Sequence, residues 1–229
     1  MGCGMSTPQK RAASHPHAAG GGGVVSPAHA LQDYNPVRYH PDQREIRDPR
    51  RIVSHVHFVA QTVLQNGGNH WAIYLQTSPR ESVSINMDPS ELLGAQSPGH
   101  GYRGRMDIIQ RNYAITNNRV GLVTIPANPG HPVAHFIDAI INAGNHQYDF
   151  TTAGRGCTGW ILDQYHLFLQ LGLISPGQDM EMAVGQEWVS GRPNKAHPVT
   201  RGFYMRDTRR GWAGTSGPSG AKKSKGGRR

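Results

Sequence analysis

The sequence predicts a single α+β domain, an antiparallel sheet of about five strands packed with two or three helices. Three observations predict it. Alternating apolar segments separated by tight turns crowd residues 55 to 126, apolar stripes at helical spacing follow them up to about residue 190, and no internal repeat interrupts that order. In HVHFVAQTV, Val53, His55, His57 and Val59 share one face and Val56 and Phe58 the other. NGGN separates this strand from HWAIYLQT, TSPRE turns again, and SVSINMD follows, so three strands form a meander. RMDIIQRNYAI and RVGLVTIP flank Asn117-Asn118, a good hairpin turn, and bring the sheet to five strands. In HPVAHFIDAIINAG, Val133, Phe136, Ile137, Ile140 and Ile141 make a helical stripe that Gly144 stops. HQYDF is a short strand or extended piece. TTAGRGCTGWILDQYHLFLQ opens a second helix, with Cys157, Trp160, Ile161, Gln164, Leu167, Phe168 and Leu171 at helical spacing and Gly172 near its end. DMEMAVGQEWV reads as a third, shorter helix.

Composition limits how much of the chain this domain takes. Of 229 residues 36% are hydrophobic, and 29 glycines and 16 prolines point to flexible segments around a smaller folded part, placed at residues 51–190. Residues 1–50, with GGGG at 20–23, read as a disordered arm and linker, and residues 191–229 as a basic disordered tail. The formal charge is +9, yet the three segments carry +2, −3 and +10, so the folded part is mildly acidic and the excess sits in a tail ending GAKKSKGGRR. That tail is either a solvated solubility element or a tether to RNA or anionic lipid.

Only two cysteines are present, and Cys3 lies in the arm, so a structural disulfide is not expected and a reducing, cytoplasmic compartment is. The chain lacks any run of 18 apolar residues and the apolar centre of a secretory signal. MGCGMS does match the myristoylation pattern at Gly2 and Ser6, with Cys3 as a second, palmitoyl position; two chains would hold the protein at the cytoplasmic face of a membrane. No phosphate-binding glycine loop, dinucleotide fingerprint or zinc-finger spacing occurs. His55 and His57 share a strand face without a third ligand at recognisable spacing, so neither metal nor other cofactor is expected.

Cys157 is the residue to which chemistry attaches. A thiol reacts as thiolate, and a helix N-terminus, with its unpaired N–H groups and partial positive charge, favours the anion. Arg155 adds to that field, while Gly154 and Gly156 let the backbone turn sharply and a substrate carbonyl approach both sulfur and donors. A nucleophile needs a base. His70 begins a strand beside a glycine turn, and the TSPRE hairpin brings its end of that strand opposite the Asp88 end of the next. Asp88, or Asn86 beside it, would fix the imidazole tautomer.

NHWAIYL resembles the histidine strand of the lecithin:retinol acyltransferase-like families, and GRGCTGW follows 87 positions later, where those families open a helix with their cysteine. The resemblance implies a circularly permuted papain-like arrangement, with Cys157 as nucleophile, His70 as base and a polar orienter on the following strand. Around the cysteine, GCTGW stands where that family has an asparagine-cysteine context, and Asp88 or Asn86 stands where it has a second histidine. More loosely, in size and segment order, the chain is similar to fungal arginine-containing cyclodipeptide synthases. That similarity implies aminoacyl-tRNA as acyl donor, a Cys157 thioester and closure of a diketopiperazine by a second amine. Asn86, Arg155, Tyr148, Trp160 and Asp163 are the substrate-binding candidates, Asp163 for an amino or cationic group and the two aromatics, with Trp71, for a pocket wall. Asp107 and Asp149 are further candidates for a guanidinium. The expected function is thus thiol acyl transfer, best as cyclodipeptide synthesis; an amidase or lipid acyltransferase using the same pair, or a non-catalytic membrane-anchored adaptor, are the alternatives.

Overall fold

A computed structural model describes residues 35–65, 67–89, 101–177 and 179–205. The meander is present: β2 (His55–Val63), β3 (Asn69–Ser78), β4 (Glu81–Pro89) and β5 (Tyr102–Arg111) pair antiparallel in sequence order. The sheet is larger than expected, with eight strands. On its β2 side it ends in β6 (Gly121–Pro126), and beyond β5 come β7 (Tyr148–Phe150) and β10 (Phe203–Tyr204). The remaining strand, β1 (Val37–His40), pairs parallel with β5.

Alternation explains which face is covered. Val56 and Phe58 of β2, Ile73 and Leu75 of β3, Val83 and Ile85 of β4 and Met106 and Ile108 of β5 all point to one side and are buried. Helices α2 (Val133–Asn142) and α3 (Cys157–Gln170) close that side, with Phe136 meeting Phe168 edge to face at 5.1 Å between ring centres. The Gly144 stop of α2 holds, at φ 72°.

Three expectations need correction. Asn117-Asn118 does not close a hairpin: β6 pairs with β2 at the far edge, and the intervening segment crosses the opposite face, where Tyr113 and Ile115 pack on Val59, Ala72 and Tyr74. The third helix stops early: α4 (Met180–Val184) gives way to β8 (Gln186–Val189), which pairs with β9 (Arg192–Ala196). The folded part also runs past both expected limits. Within the expected linker lie β1 and α1 (Gln43–Ile46), whose opening Asp42 caps and whose Ile46 is fully buried. Within the expected tail, residues 197–205 form an ordered strap that crosses the opening of α3 and ends in β10. Among the described residues no helix is long and apolar enough to cross a membrane.

Candidate active site

The start of β3 and the start of α3 meet. Cys157 is the first residue of α3, 8% exposed; its thiol points at the Asn69 carbonyl at 3.7 Å and lies near enough to the His70 imidazole to raise the pKa of that ring. Asn69 is fixed in turn by Gln61, Trp188 and the sheet, so the strand end that presents His70 is rigid. Gly156 caps α3 with φ 150° and no side-chain acceptor. A Cβ there would come within 2.9 Å of the Tyr148 hydroxyl, so glycine is required both for conformation and for space.

The register that aligns Ile73 with Ile85 puts Asp88 opposite His70, and Asn86 two residues away on the same face. It is Asn86 that takes the ring: its Oδ1 lies 2.5 Å from His70 Nε2, and its Nδ2 donates to Asp88. Asp88 Oδ1 stands farther from the same nitrogen, at 3.4 Å. The order is therefore His70–Asn86–Asp88, with Asn86 making the direct contact first given to Asp88. Burial is the largest influence on His70 and lowers its pKa, but the hydrogen bond and charge of Cys157, the charge of Asp88 and the Asn86 contact outweigh it and push it up to about 9. Asp88 is raised, first by burial and also by Asp107, against the pull of His70 and Arg105. In Cys157→Ala protein His70 loses two of its four supports, so its ring should titrate lower than in the wild type; an unchanged titration by histidine NMR would show that the sulfur does not act on the ring.

The first turn of α3 supplies donors. Trp160 N–H goes to the Gly156 carbonyl and Gly159 N–H to the Thr200 carbonyl, whereas among the described residues nothing accepts the amides of Cys157 and Thr158. Those two N–H groups belong to the residue that carries the sulfur and to the one after it, at the opening of the helix. The strap holds this turn through Thr200, which exchanges bonds with the Thr158 hydroxyl at 3.0 and 3.1 Å, and through Gly202 N–H, which donates to the Tyr148 hydroxyl at 2.5 Å. Tyr148 donates onward to the Gly156 carbonyl at 2.8 Å.

The cleft at the sulfur is lined by Gly68, Asn69, Arg155, Gly156, Thr158, Val184, Gln186, His197 and Thr200, and measures about 10 Å³, room for a single water at most. A molecule larger than water reaches the sulfur only if a wall moves, and the strap, through His197 and Thr200, is one of those walls.

Of the expected binding residues, Arg155 lines the cleft and donates to the Gly67 carbonyl at 2.8 Å. Tyr148 is 1% exposed and braces the Gly156 turn, and Trp160 is fully buried with its indole N–H on the Asn145 carbonyl, so neither forms a wall of the cleft. Trp71 is also core. Asp163 faces a second cavity and is held by Arg201 and Tyr204. Asp107 is taken by Arg38 and Arg105, and Asp149 stands 3.8 Å from buried Arg103. Gly2 and Cys3 lie outside the described residues. Sequence reading missed His197, Thr200 and Glu187, whose carboxylate accepts the Gly68 N–H at 2.9 Å and pins the turn before His70.

Fold and site together define an α+β protein with a cysteine–histidine–asparagine cluster at a helix opening. The chain belongs to the family described as domain of unknown function DUF7770, whose model matches residues 56–205, a span that includes the strap. No curated protein and no solved structure matches it.

Proposed function

We propose that the protein is a cysteine-dependent acyl-transfer enzyme with a permuted papain-like arrangement, the histidine strand preceding the cysteine helix. The observation that carries the reading is the cluster itself: a thiol beside an imidazole whose Nε2 is held by Asn86, at a helix opening with two unclaimed amides. Cys157 sulfur attacks the acyl carbonyl; the S–C bond forms, the C–O bond of the ester breaks, and His70 gives its proton to the departing oxygen. The amides of Cys157 and Thr158 bear the charge on the carbonyl oxygen as it develops. An amine then attacks the thioester, its C–N bond replaces C–S, and the imidazole passes the amine's proton to the sulfur.

For the donor we favour an aminoacyl ester of transfer RNA, with an arginine-containing cyclodipeptide as product. The basic residues beyond the strap would contact the nucleic acid. Location follows as cytoplasmic, at a membrane face where Gly2 and Cys3 carry acyl chains.

Acid quenching tests the reading. Wild-type protein incubated with transfer RNA carrying labelled arginine should retain the label through Cys157, and Cys157→Ala protein should retain none. Label on neither overturns the donor. Hydrolysis of amide or lipid ester substrates, lost on the same substitution, would move the reading to an amidase or lipid acyltransferase, and a protein inert to every acyl donor would be an adaptor.

A further inference from the structure

A cavity of about 580 Å³ lies between α3, the end of α2 and the strap, walled chiefly by Asn145, Tyr148, Asp163, His166, Arg201 and Tyr204. It is distinct from the cleft at the sulfur. Asp163 sits six residues beyond Cys157, about 9 Å along the helix, and neither it nor Arg201 lines that cleft.

Two features of the wall point to the same ligand chemistry. Asp163 is a carboxylate whose side chain is one-quarter exposed, and both its oxygens are held by the strap: Oδ1 by the Arg201 guanidinium at 2.5 Å, Oδ2 by the Tyr204 hydroxyl at 2.8 Å. Arg201 comes to it from outside, with 54% of its own side chain in solvent. Asn145 is 4% exposed; its Nδ2 donates to Gln164, and its Oδ1 has no partner. A buried acceptor without a donor is costly, and a donor-bearing guest that reached it as the strap moves would relieve that cost. A carboxylate and an orphan acceptor in one wall, with Tyr148 and Leu167 as apolar surface, suit a donor-rich cation on a short aliphatic stem.

We propose that this cavity binds a small organic cation, an amine or guanidinium, which displaces Arg201 from Asp163 and thereby loosens the strap over Cys157. Arg201 holds the place of the ligand's own charged group. Its neighbours in the chain, Thr200 and Gly202, are the residues that tie the strap to Thr158, Gly159 and Tyr148 at the opening of α3. A guest that removes Arg201 therefore favours the state in which the sulfur is uncovered, and opening of the strap favours the guest by the same factor.

Agmatine, which carries a guanidinium and an amine on a four-carbon stem, is the probe, titrated calorimetrically into the full chain. Wild-type protein should bind it, Asp163→Asn should bind it about tenfold more weakly, and Arg201→Ala, freed of the internal competitor, should bind it several-fold more tightly. Glutarate, an anion of similar length, should not bind. In parallel, iodoacetamide labelling of the Cys157 peptide should quicken several-fold when agmatine is added to wild type and should be fast without it in Arg201→Ala. No binding of agmatine to either wild type or Arg201→Ala, binding indifferent to both substitutions, preference for glutarate, or labelling that agmatine does not quicken would overturn the proposal. Cys157→Ala protein should bind agmatine as wild type does, so the result stands or falls apart from the acyl-transfer reading.

Discussion

Replacing His70 with alanine should slow acylation of Cys157 by about 10²- to 10⁴-fold, the range that a positioned acid or base contributes. On the proposed mechanism the upper part of that range is expected, because one ring would serve both halves of the reaction, polarising the sulfur before attack and protonating the leaving oxygen after it. His70 is raised to about 9, so at neutral pH the ring beside the sulfur carries its proton. The sign follows directly. Below about 9 the imidazolium is present to protonate the leaving oxygen, and as pH rises through that value the donor is lost and acylation should fall. His70→Ala should lack this alkaline limb along with most of the rate. Single-turnover acylation across a pH series measures both. A His70→Ala protein that acylates at the wild-type rate, or a wild-type profile with no fall on the alkaline side, would remove the imidazole from the mechanism.

The parts of this site that were legible in the sequence are those set by local backbone rules. A glycine pair before an apolar helical stripe marks a sharp turn into a helix, and Gly154 and Gly156 do adopt positive φ there. A glycine turn before an alternating run marks a strand start, and His70 stands on one. The choice between Asp88 and Asn86 was not legible. Both share the face of His70, and the difference between contacts of 2.5 and 3.4 Å is decided by side-chain reach across a twisted pair of strands. Nor was β1, a four-residue strand half in solvent that pairs parallel with β5 some 69 residues away and shows no apolar run. The turn residues Asn117-Asn118 misled because a hairpin also needs a partner in register. The free edge of β2 and the apolar patch around Tyr74 offered β6 and the crossing segment more burial. The strap was hidden for a different reason. It is fastened mainly through backbone groups, the Thr200 carbonyl and the Gly202 and His197 amides, and backbone bonds leave no signature in composition. Its Arg201, like Arg192 and Lys195 of β9 before it, reads as tail.

Gly202→Ala should expose Cys157. A Cβ at position 202 would lie 2.1 Å from the Asp149 carbonyl oxygen and 2.8 Å from Tyr148 Cζ. The first neighbour is backbone of β7, inside the large sheet, and the second is a buried ring, so neither yields as the end of a flexible side chain would. The strap must move instead. Its Gly202 N–H then leaves the Tyr148 hydroxyl, the Arg201 pair with Asp163 on one side and the Thr200 bonds with Thr158 on the other are drawn with it, and the cleft of about 10 Å³ loses the wall formed by Thr200 and His197. Iodoacetamide labelling read on the Cys157 peptide should therefore quicken, by about tenfold if the open state gains about 1.4 kcal/mol on the closed one. Overpacking of this kind costs about 1–3 kcal/mol in global stability, so urea unfolding should still show a cooperative transition at a lower midpoint. Labelling that stays slow in a protein destabilised to that extent would mean that the strap is not what closes the cleft, and that the acyl donor reaches the sulfur past another wall.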